Sequence, residues 1–372
     1  MTTFDPIDQA IRALKQGEMI IVMDDDDREN EGDLIMAASL AKPEQLAFMV
    51  RHTSGIVCTP MPQTEAQRLH LTPMVAANDA PLGTAFTVSV DYRHGVTTGI
   101  SAEERTTTVR ALANNNAGPA DFVRPGHIFP LIAREGGVLM RSGHTEAAVD
   151  LCRLADLPPV GVICELVNDD GTVKRGPDVA GFAKEHGLTL VSIADLIAWR
   201  QARERLVERV AQFPVTLEIG PAQGYAYTTR FDPIEHLVLV YGDIGDGQNV
   251  PTRLHRGNAI DDVFGPRTAI VQSLQRFKQD GRGVFVFLRD GSAGVPAIPL
   301  YSEPEETAPL VTGEETRSAE ARREQWREIG VGAQILRDLG VSSIRLLASR
   351  PRNYVGLTGF GIEILETDII EG

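Results

Sequence analysis

Directly behind the apolar run MIIVM (residues 19–23) stands the segment Asp24-Asp25-Asp26-Asp27-Arg28-Glu29-Asn30-Glu31-Gly32-Asp33, with seven carboxylates in ten residues. The apolar run has the length and character of a buried strand, so the acidic segment must sit where that strand leaves its sheet. Like charges at that density repel, and gathering them at one strand end costs energy unless water or a cation screens them. Two readings follow: a loop that offers oxygen ligands to Mg²⁺, or a solvated acidic turn. An EF-hand is excluded, because position 12 counted from Asp24 is Ile35 where that loop needs a glutamate.

The rest of the composition narrows the class. The 372 residues carry 36 Lys and Arg against 51 Asp and Glu, a net charge of −15. That balance disfavours nucleic acid and anionic membrane as partners. No apolar run approaches the roughly 20 residues needed to span a bilayer. The start, MTTFDPIDQAIRALKQG, lacks the basic and apolar regions of a signal peptide and reads as a helix. Cys58, Cys152 and Cys164 are far apart and form no C-x-x-C, so neither a disulfide framework nor a cysteine zinc site is expected. A cytoplasmic protein is the expectation.

Along residues 1–200, short apolar runs alternate with helical patterns, which argues an α/β (α+β) domain. Strands are expected at 19–23, GIVCTPM, 85–92, GVICELVND and TLVSI, and helices at 43–55, 144–156 and DVAGFAKEHG. Ser101 and Glu104 have the spacing of a capping box opening the helix that follows. Residues 194–212 read as one charged helix at a domain boundary. Beyond it, TLEIG, YAYTTRF, HLVLVYGD, PTRLHRG, GVFVFLRD, SIRLLAS and FGIEILE read as strands. TAIVQSLQRFKQDG and VGAQILRDLG read as helices, and the acidic stretch 301–325 as a mobile loop.

Three further places could carry chemistry. Arg141-Ser142-Gly143-His144-Thr145 precedes a helix, whose free N–H groups attract anions; a phosphate site and a plain helix cap both fit. His127 follows a Pro-Gly turn, a rigid mount suited to a proton shuttle. Glu165 interrupts an apolar strand, either as a desolvated base with a raised pKa or as a residue on the solvent face.

Taken in order, DDDDRENEGDLIMAA, RHTSGIVCTPM, HGVTTGISAEERTTTVRALAN, RPGHIFPLIAREGGVLMRSGHTEAAVDLCRLA and GVICELVNDDGTVKR resemble the 3,4-dihydroxy-2-butanone 4-phosphate synthases of riboflavin biosynthesis. The resemblance implies a three-layer N-terminal domain over residues 1–204 and a homodimer with active sites at or near the subunit interface. It implies a lyase that converts D-ribulose 5-phosphate to 3,4-dihydroxy-2-butanone 4-phosphate and formate with Mg²⁺, which Mn²⁺ can replace. Glu29 and His144 would bind the metal. Arg28, Asp33, Arg141, Ser142, Gly143 and Thr145 would bind substrate, with Cys58 and Thr108 lining the pocket. His127 and Glu165 would be the catalytic pair. Enolisation next to a carbonyl needs a base and a Lewis acid, and loss of water needs an acid, so the residue types suit the reaction.

Residues 205–372 resemble GTP cyclohydrolase II, a second α/β domain, through VYGDI, PTRLHRG, DDVFGPR and the C-terminal stretch. The active family binds zinc through three cysteines, yet no cysteine occurs after Cys164. The family's E-G-R triplet is replaced by Asp290-Gly291-Ser292, and its general base by Gln325, although Arg327 remains. Its GTP-holding Thr and Lys are replaced by Ala348 and Asn353. No zinc and no cyclohydrolase activity are expected. The alternatives are a bifunctional enzyme, or a second half that serves as a non-catalytic regulatory or interaction module.

Overall fold

The computed structural model describes residues 4–24, 29–80, 82–229, 232–289, 330–349 and 362–370. The expectations for Arg28, for 301–325 and for Asp290, Gly291, Ser292, Gln325, Arg327 and Asn353 lie outside the described residues. The chain divides into two compact units, one reaching Trp199 and the other beginning at Arg200. The family of folds is α/β in both, each unit holding one mixed seven-stranded sheet.

In the first unit the strands are β1 (Ile20–Met23), β2 (Gly32–Ala37), β3 (Cys58–Pro62), β4 (Val90–Tyr92), β5 (Phe122–Ala133), β6 (Gly161–Glu165) and β7 (Thr189–Ser192). Their order is β4-β5-β3-β6-β2-β1-β7. β1, β2 and most of β6 are buried throughout, which explains why they read as unbroken apolar runs rather than as alternating ones. Ile20, Ile35 and Ile163 stand opposite one another across β1, β2 and β6, and so do Ile21, Leu34 and Cys164 on the other face. The second set joins one core with Leu46 and Met49 of α2 (Pro43–His52), Val109 and Leu112 of α4 (Ala102–Leu112) and Phe182 of α6 (Pro177–His186). The first set faces α5 (His144–Leu154), against which α1 (Ile7–Lys15) packs. Gly161 permits that approach, since a Cβ there would lie 2.8 Å from Ala148 Cβ. The result is a sheet between two helical layers. α4 begins as its sequence indicates, with Ser101 Oγ accepting from Glu104 N at 3.2 Å. The strand expected over 85–92 is shorter: only β4 pairs as a strand, while Phe86 and Thr87 make single bridges to Leu131 and Pro73.

The expected helix over 194–212 needs a larger correction. α7 (Ile193–Arg203) stops, and β8 (Val207–Leu217) begins four residues later. The stop is tertiary. Gln334 donates from Nε2 to Gln201 O (3.2 Å) and Glu204 O (2.9 Å), and its Oε1 accepts from Leu206 N (2.7 Å). One distant carboxamide thus satisfies the helix-end carbonyls and turns the chain. β8 then pairs along β9 (Gly220–Thr229) as a long antiparallel hairpin, which local propensity does not reveal.

The second sheet continues with β10 (Asp232–Tyr241), β11 (Val250–Arg256), β12 (Gly283–Leu288), β13 (Ser343–Ala348) and β14 (Glu363–Ile369), in the order β14-β13-β11-β12-β10-β9-β8. α8 (Thr268–Asp280) covers one face through Phe277, Phe285 and Leu347, and helical residues 330–338 cover the other through Ile335 and Leu336. His236 lies buried in β10, with Nδ1 accepting from Arg289 N at 3.1 Å and Nε2 without a partner among the described residues. Burial, helped by Arg289, pushes its pKa down to about 4. The unfolded chain therefore takes up this proton first as pH falls through about 6.5, and the fold loses stability progressively down to the folded pKa. The loss is about 3 kcal/mol. His236→Gln is expected to flatten the decline of the thermal midpoint between pH 7 and pH 4. An unchanged slope in a pH series of thermal melts would contradict this.

Candidate active site and metal centre

β1 and β2 are antiparallel neighbours, so the acidic segment between them is forced into a loop at one end of the sheet. Asp24 closes the base of that loop. Its Oδ2 accepts from Glu29 N (3.2 Å) and its Oδ1 from Glu31 N (2.9 Å), while its own N–H donates to Glu31 O (3.3 Å). Arg175 Nη2 donates to Glu31 Oε1 at 3.1 Å. Glu29 approaches His144, the first residue of α5, with its Oε2 3.9 Å from His144 Nδ1.

His144 is buried, and its Nε2 lies 3.2 Å from Val22 O. A carbonyl can only accept, so Nε2 carries the hydrogen and Nδ1 presents its lone pair to the carboxylates. One ligand atom each from Asp24, Glu29 and His144 lie within 4.8 Å of one another. Asp33 Oδ1 lies 3.8 Å from the same Nδ1 and is buried without a hydrogen-bond partner among the described residues. Directly across the sheet from Asp33 is Glu165, whose Oε2 accepts from Ser54 Oγ at 2.7 Å. Hard oxygen donors with one imidazole suit Mg²⁺ or Mn²⁺, and the orphaned Asp33 oxygen marks where positive charge is wanted.

The carboxyl that the site's electrostatics single out is Asp33, held well above its usual range. Desolvation is the main cause, followed by the charges of Glu165, Glu29, Asp24 and Glu31. Cys58 is buried nearby on β3, opposite Ile163 of the Glu165 strand. Burial above all, then Glu165, pushes its thiol up, so it stays protonated at neutral pH.

The remaining expected residues divide. Gly143 caps α5, and Thr145 sits buried in its first turn. Gly143 has little choice of residue type: a Cβ there would fall 2.3 Å from Arg141 Nη1. Arg141 donates from Nη1 to Glu146 Oε2 (2.6 Å) and from Nη2 to Leu82 O (3.2 Å) and Thr84 Oγ1 (3.3 Å). It thus ties residues 82–84 to the start of α5, beside Ser142. Thr108 stands apart from this group. It is fully buried, its hydroxyl donating to Glu104 O (3.1 Å) and accepting from Tyr92 N (3.0 Å), which joins α4 to β4.

His127 belongs to a separate pair. Its Nδ1 lies 2.7 Å from Asp91 Oδ2, and its backbone N–H donates to Asp91 Oδ1 at 2.9 Å. Asp91 was not singled out by the sequence reading, nor was the loop-closing geometry of Asp24. A carboxylate after an apolar stretch is the only local signal either one gives. Ser54, the partner of Glu165, gives none.

In the second unit the R-x-H segment is engaged with its own surroundings. His255 Nε2 lies 2.9 Å from Asp262 Oδ1, and Asp262 Oδ2 accepts from Asn258 N at 2.7 Å. Arg253 donates to Leu347 O and Ser349 Oγ, both at 2.9 Å, and Ala348 is buried at the end of β13.

Comparison with known proteins agrees with both halves. The profile described as 3,4-dihydroxy-2-butanone 4-phosphate synthase matches residues 8–199, and that of GTP cyclohydrolase II matches residues 208–368. The chain is 48% identical to the bifunctional riboflavin biosynthesis protein RIBA 1, chloroplastic, of Arabidopsis thaliana, over 97% of this chain and 68% of the relative. It is 47% identical to the monofunctional riboflavin biosynthesis protein RIBA 2, chloroplastic, of the same plant, over 97% and 76%. The crystal structure of RibBX, a two domain 3,4-dihydroxy-2-butanone 4-phosphate synthase from A. baumannii, superposes with a TM-score of 0.80 at 36% identity and covers 98% of this chain and 99% of its own. A 3,4-dihydroxy-2-butanone 4-phosphate synthase in complex with two magnesium ions has a TM-score of 0.53 at 47% identity, over 54% of this chain and 98% of its own.

Asp33 provides a direct check of the electrostatic picture. Asp33→Asn removes one of the crowded charges while keeping its shape. In the presence of a chelator its thermal midpoint is expected to rise by a few degrees, equivalent to about 1–2 kcal/mol. The further rise that Mg²⁺ gives the parent protein is expected to shrink. A lower midpoint in chelator would contradict the account.

Proposed function

The chain belongs to the 3,4-dihydroxy-2-butanone 4-phosphate synthase family, joined to a GTP cyclohydrolase II domain, and from that premise we propose that it is a divalent-metal-dependent synthase whose second half has lost its own chemistry. The chain is an enzyme, a lyase of riboflavin biosynthesis with 3,4-dihydroxy-2-butanone 4-phosphate synthase activity. The observation that carries the finer reading is the convergence of Asp24, Glu29 and His144 beside Asp33 and Glu165.

In this reading Glu29 and His144 hold Mg²⁺, or Mn²⁺ in its place, with Asp24 beside them. The metal, when bound, polarises the vicinal oxygens of D-ribulose 5-phosphate and lowers the cost of forming an enediolate. Asp33, Arg141, Ser142, Gly143 and Thr145 bind substrate, its phosphate lying toward the start of α5, where N–H groups and the helix dipole favour an anion. Arg28 is assigned to substrate on the resemblance alone. Glu165, oriented by Ser54, and His127 move the protons that enolisation, loss of water from C1 and release of formate require. Cys58 lines the pocket as a neutral thiol. Thr108 is better read as packing, its hydroxyl being spent within the fold. Residues 1–204 form the synthase domain, and the protein works as a cytoplasmic homodimer. No described helix is long and apolar enough to cross a membrane.

The loss of cyclohydrolase activity rests on chemistry. A catalytic zinc in that family needs soft thiolates, and this chain has only Cys58, Cys152 and Cys164, all in its first half. The name of the bifunctional relative favours the other reading, a chain that also acts on GTP. One assay separates them. Formate is expected from D-ribulose 5-phosphate with Mg²⁺, to vanish on exhaustive chelation and to return with Mg²⁺ or Mn²⁺. GTP with Zn²⁺ is expected to yield neither formate nor pyrophosphate, and formate from GTP would overturn this part of the proposal.

A further inference from the structure

His127 and Asp91 are locked together more tightly than a surface contact requires. Asp91 uses both carboxylate oxygens on one residue, one on the His127 ring and the other on its backbone N–H. The Asp91 side chain is 7% exposed, whereas that of His127 is 41% exposed. The pair His94–Asp121 makes a comparable contact, at 2.8 Å, but lies open to solvent at 59% and 31% and involves only the ring.

Two glycines build the seat of Asp91. Gly99 has φ +84°, and a Cβ there would fall 2.1 Å from Asp91 Oδ2. Gly126 lies so close to β4 that a Cβ would fall 2.0 Å from the carbonyl carbon of Val90, and its N–H donates to Ser89 Oγ at 3.1 Å. Next along β4, Tyr92 N donates to Thr108 Oγ1 and Arg93 N to Asp121 O. The backbone around Asp91 is thus held on both sides, and its carboxylate sits closely against Gly99.

We propose that Asp91 is a positioning residue for the synthase reaction: it holds His127 in the Nδ1–H tautomer and leaves Nε2 as the atom that takes and returns the proton. This deepens, and rests on, the reading of His127 as catalytic. A carboxylate only accepts, so the ring must donate from Nδ1 and Nε2 carries the lone pair. When Nε2 takes a proton from the substrate, the dyad passes from a charge of −1 to 0. When it gives that proton to a departing hydroxide, water leaves and the dyad returns to −1. Asp91 stabilises the imidazolium in between without itself being protonated, the logic by which a buried carboxylate serves a histidine base in serine hydrolases.

The test combines nitrogen NMR of ¹⁵N-histidine-labelled protein with steady-state kinetics, His127→Gln identifying the signal. The unsubstituted protein is expected to show the Nδ1–H tautomer at neutral pH; an Nε2–H ring there overturns the proposal whatever the variants do. Asp91→Asn keeps an acceptor for the His127 backbone N–H but offers an NH₂ to Nδ1. It is expected to switch the ring to Nε2–H and to lower kcat about 10²–10⁴-fold, with KM changed less than about threefold. Asp91→Glu is expected to recover part of the loss, and Asp121→Asn at the exposed pair to retain parent kcat. A folded Asp91→Asn protein with parent kcat refutes the positioning role. If His127→Gln itself keeps parent kcat, the catalytic reading of His127 has failed, which is a distinguishable result.

Discussion

Asp33 and Glu165 stand directly opposite each other across β2 and β6, and much of the first unit's architecture serves to tolerate that pair. Like charges directly opposite on neighbouring strands are destabilising. Glu29 and Asp24 add to the same field. On the proposed reading, a cation offsets this repulsion on a buried residue. The surrounding contacts fix where that cation belongs. Asp24 clasps the loop backbone, Arg175 bonds to Glu31, and the first residue of α5 brings an imidazole lone pair onto the carboxylates.

The core makes this placement rigid. β1, β2 and β6 are covered on both faces, so Asp33 and Glu165 project from strands that cannot slide without exposing Ile20, Ile35 and Ile163. α5 is pressed against β6 at Gly161, which sets the height of His144. The second functional group, Asp91 with His127, is mounted differently. It sits on the short strand β4 and on the irregular stretch of β5 between Val123 and Ile128, and two glycines make close contact there. The His127–Asp91 pair and the acidic sheet end thus rest on separate supports.

Much of this was legible in the sequence, for local reasons. The apolar run 19–23, the capping box at Ser101 and the helix starting at residue 144 follow from burial, side-chain capping and periodicity within a few residues. The acidic run announced a charge problem, and the order of motifs indicated its chemistry. What was missed depends on partners far along the chain. The end of α7 is set by Gln334, more than 125 positions away. Asp91 acquires meaning only when residues 124–127 fold over β4, and Asp33 is held above its usual range because the strands around it seal it from water. The Thr108 hydroxyl joins α4 to β4, a bond that spans sixteen positions of the chain.

The central claim is that the acidic end of β1 and β2 is a metal centre with His144 Nδ1 as its one nitrogen ligand. Mn²⁺ makes this directly visible, because electron spin echo modulation of the Mn²⁺-loaded protein reports any coordinated imidazole nitrogen. The account requires one directly coupled histidine nitrogen, lost in His144→Gln, and weaker Mn²⁺ binding in Glu29→Gln with the nitrogen coupling retained. Tightly bound Mn²⁺ with no nitrogen coupling, or a coupling that survives His144→Gln, would contradict it.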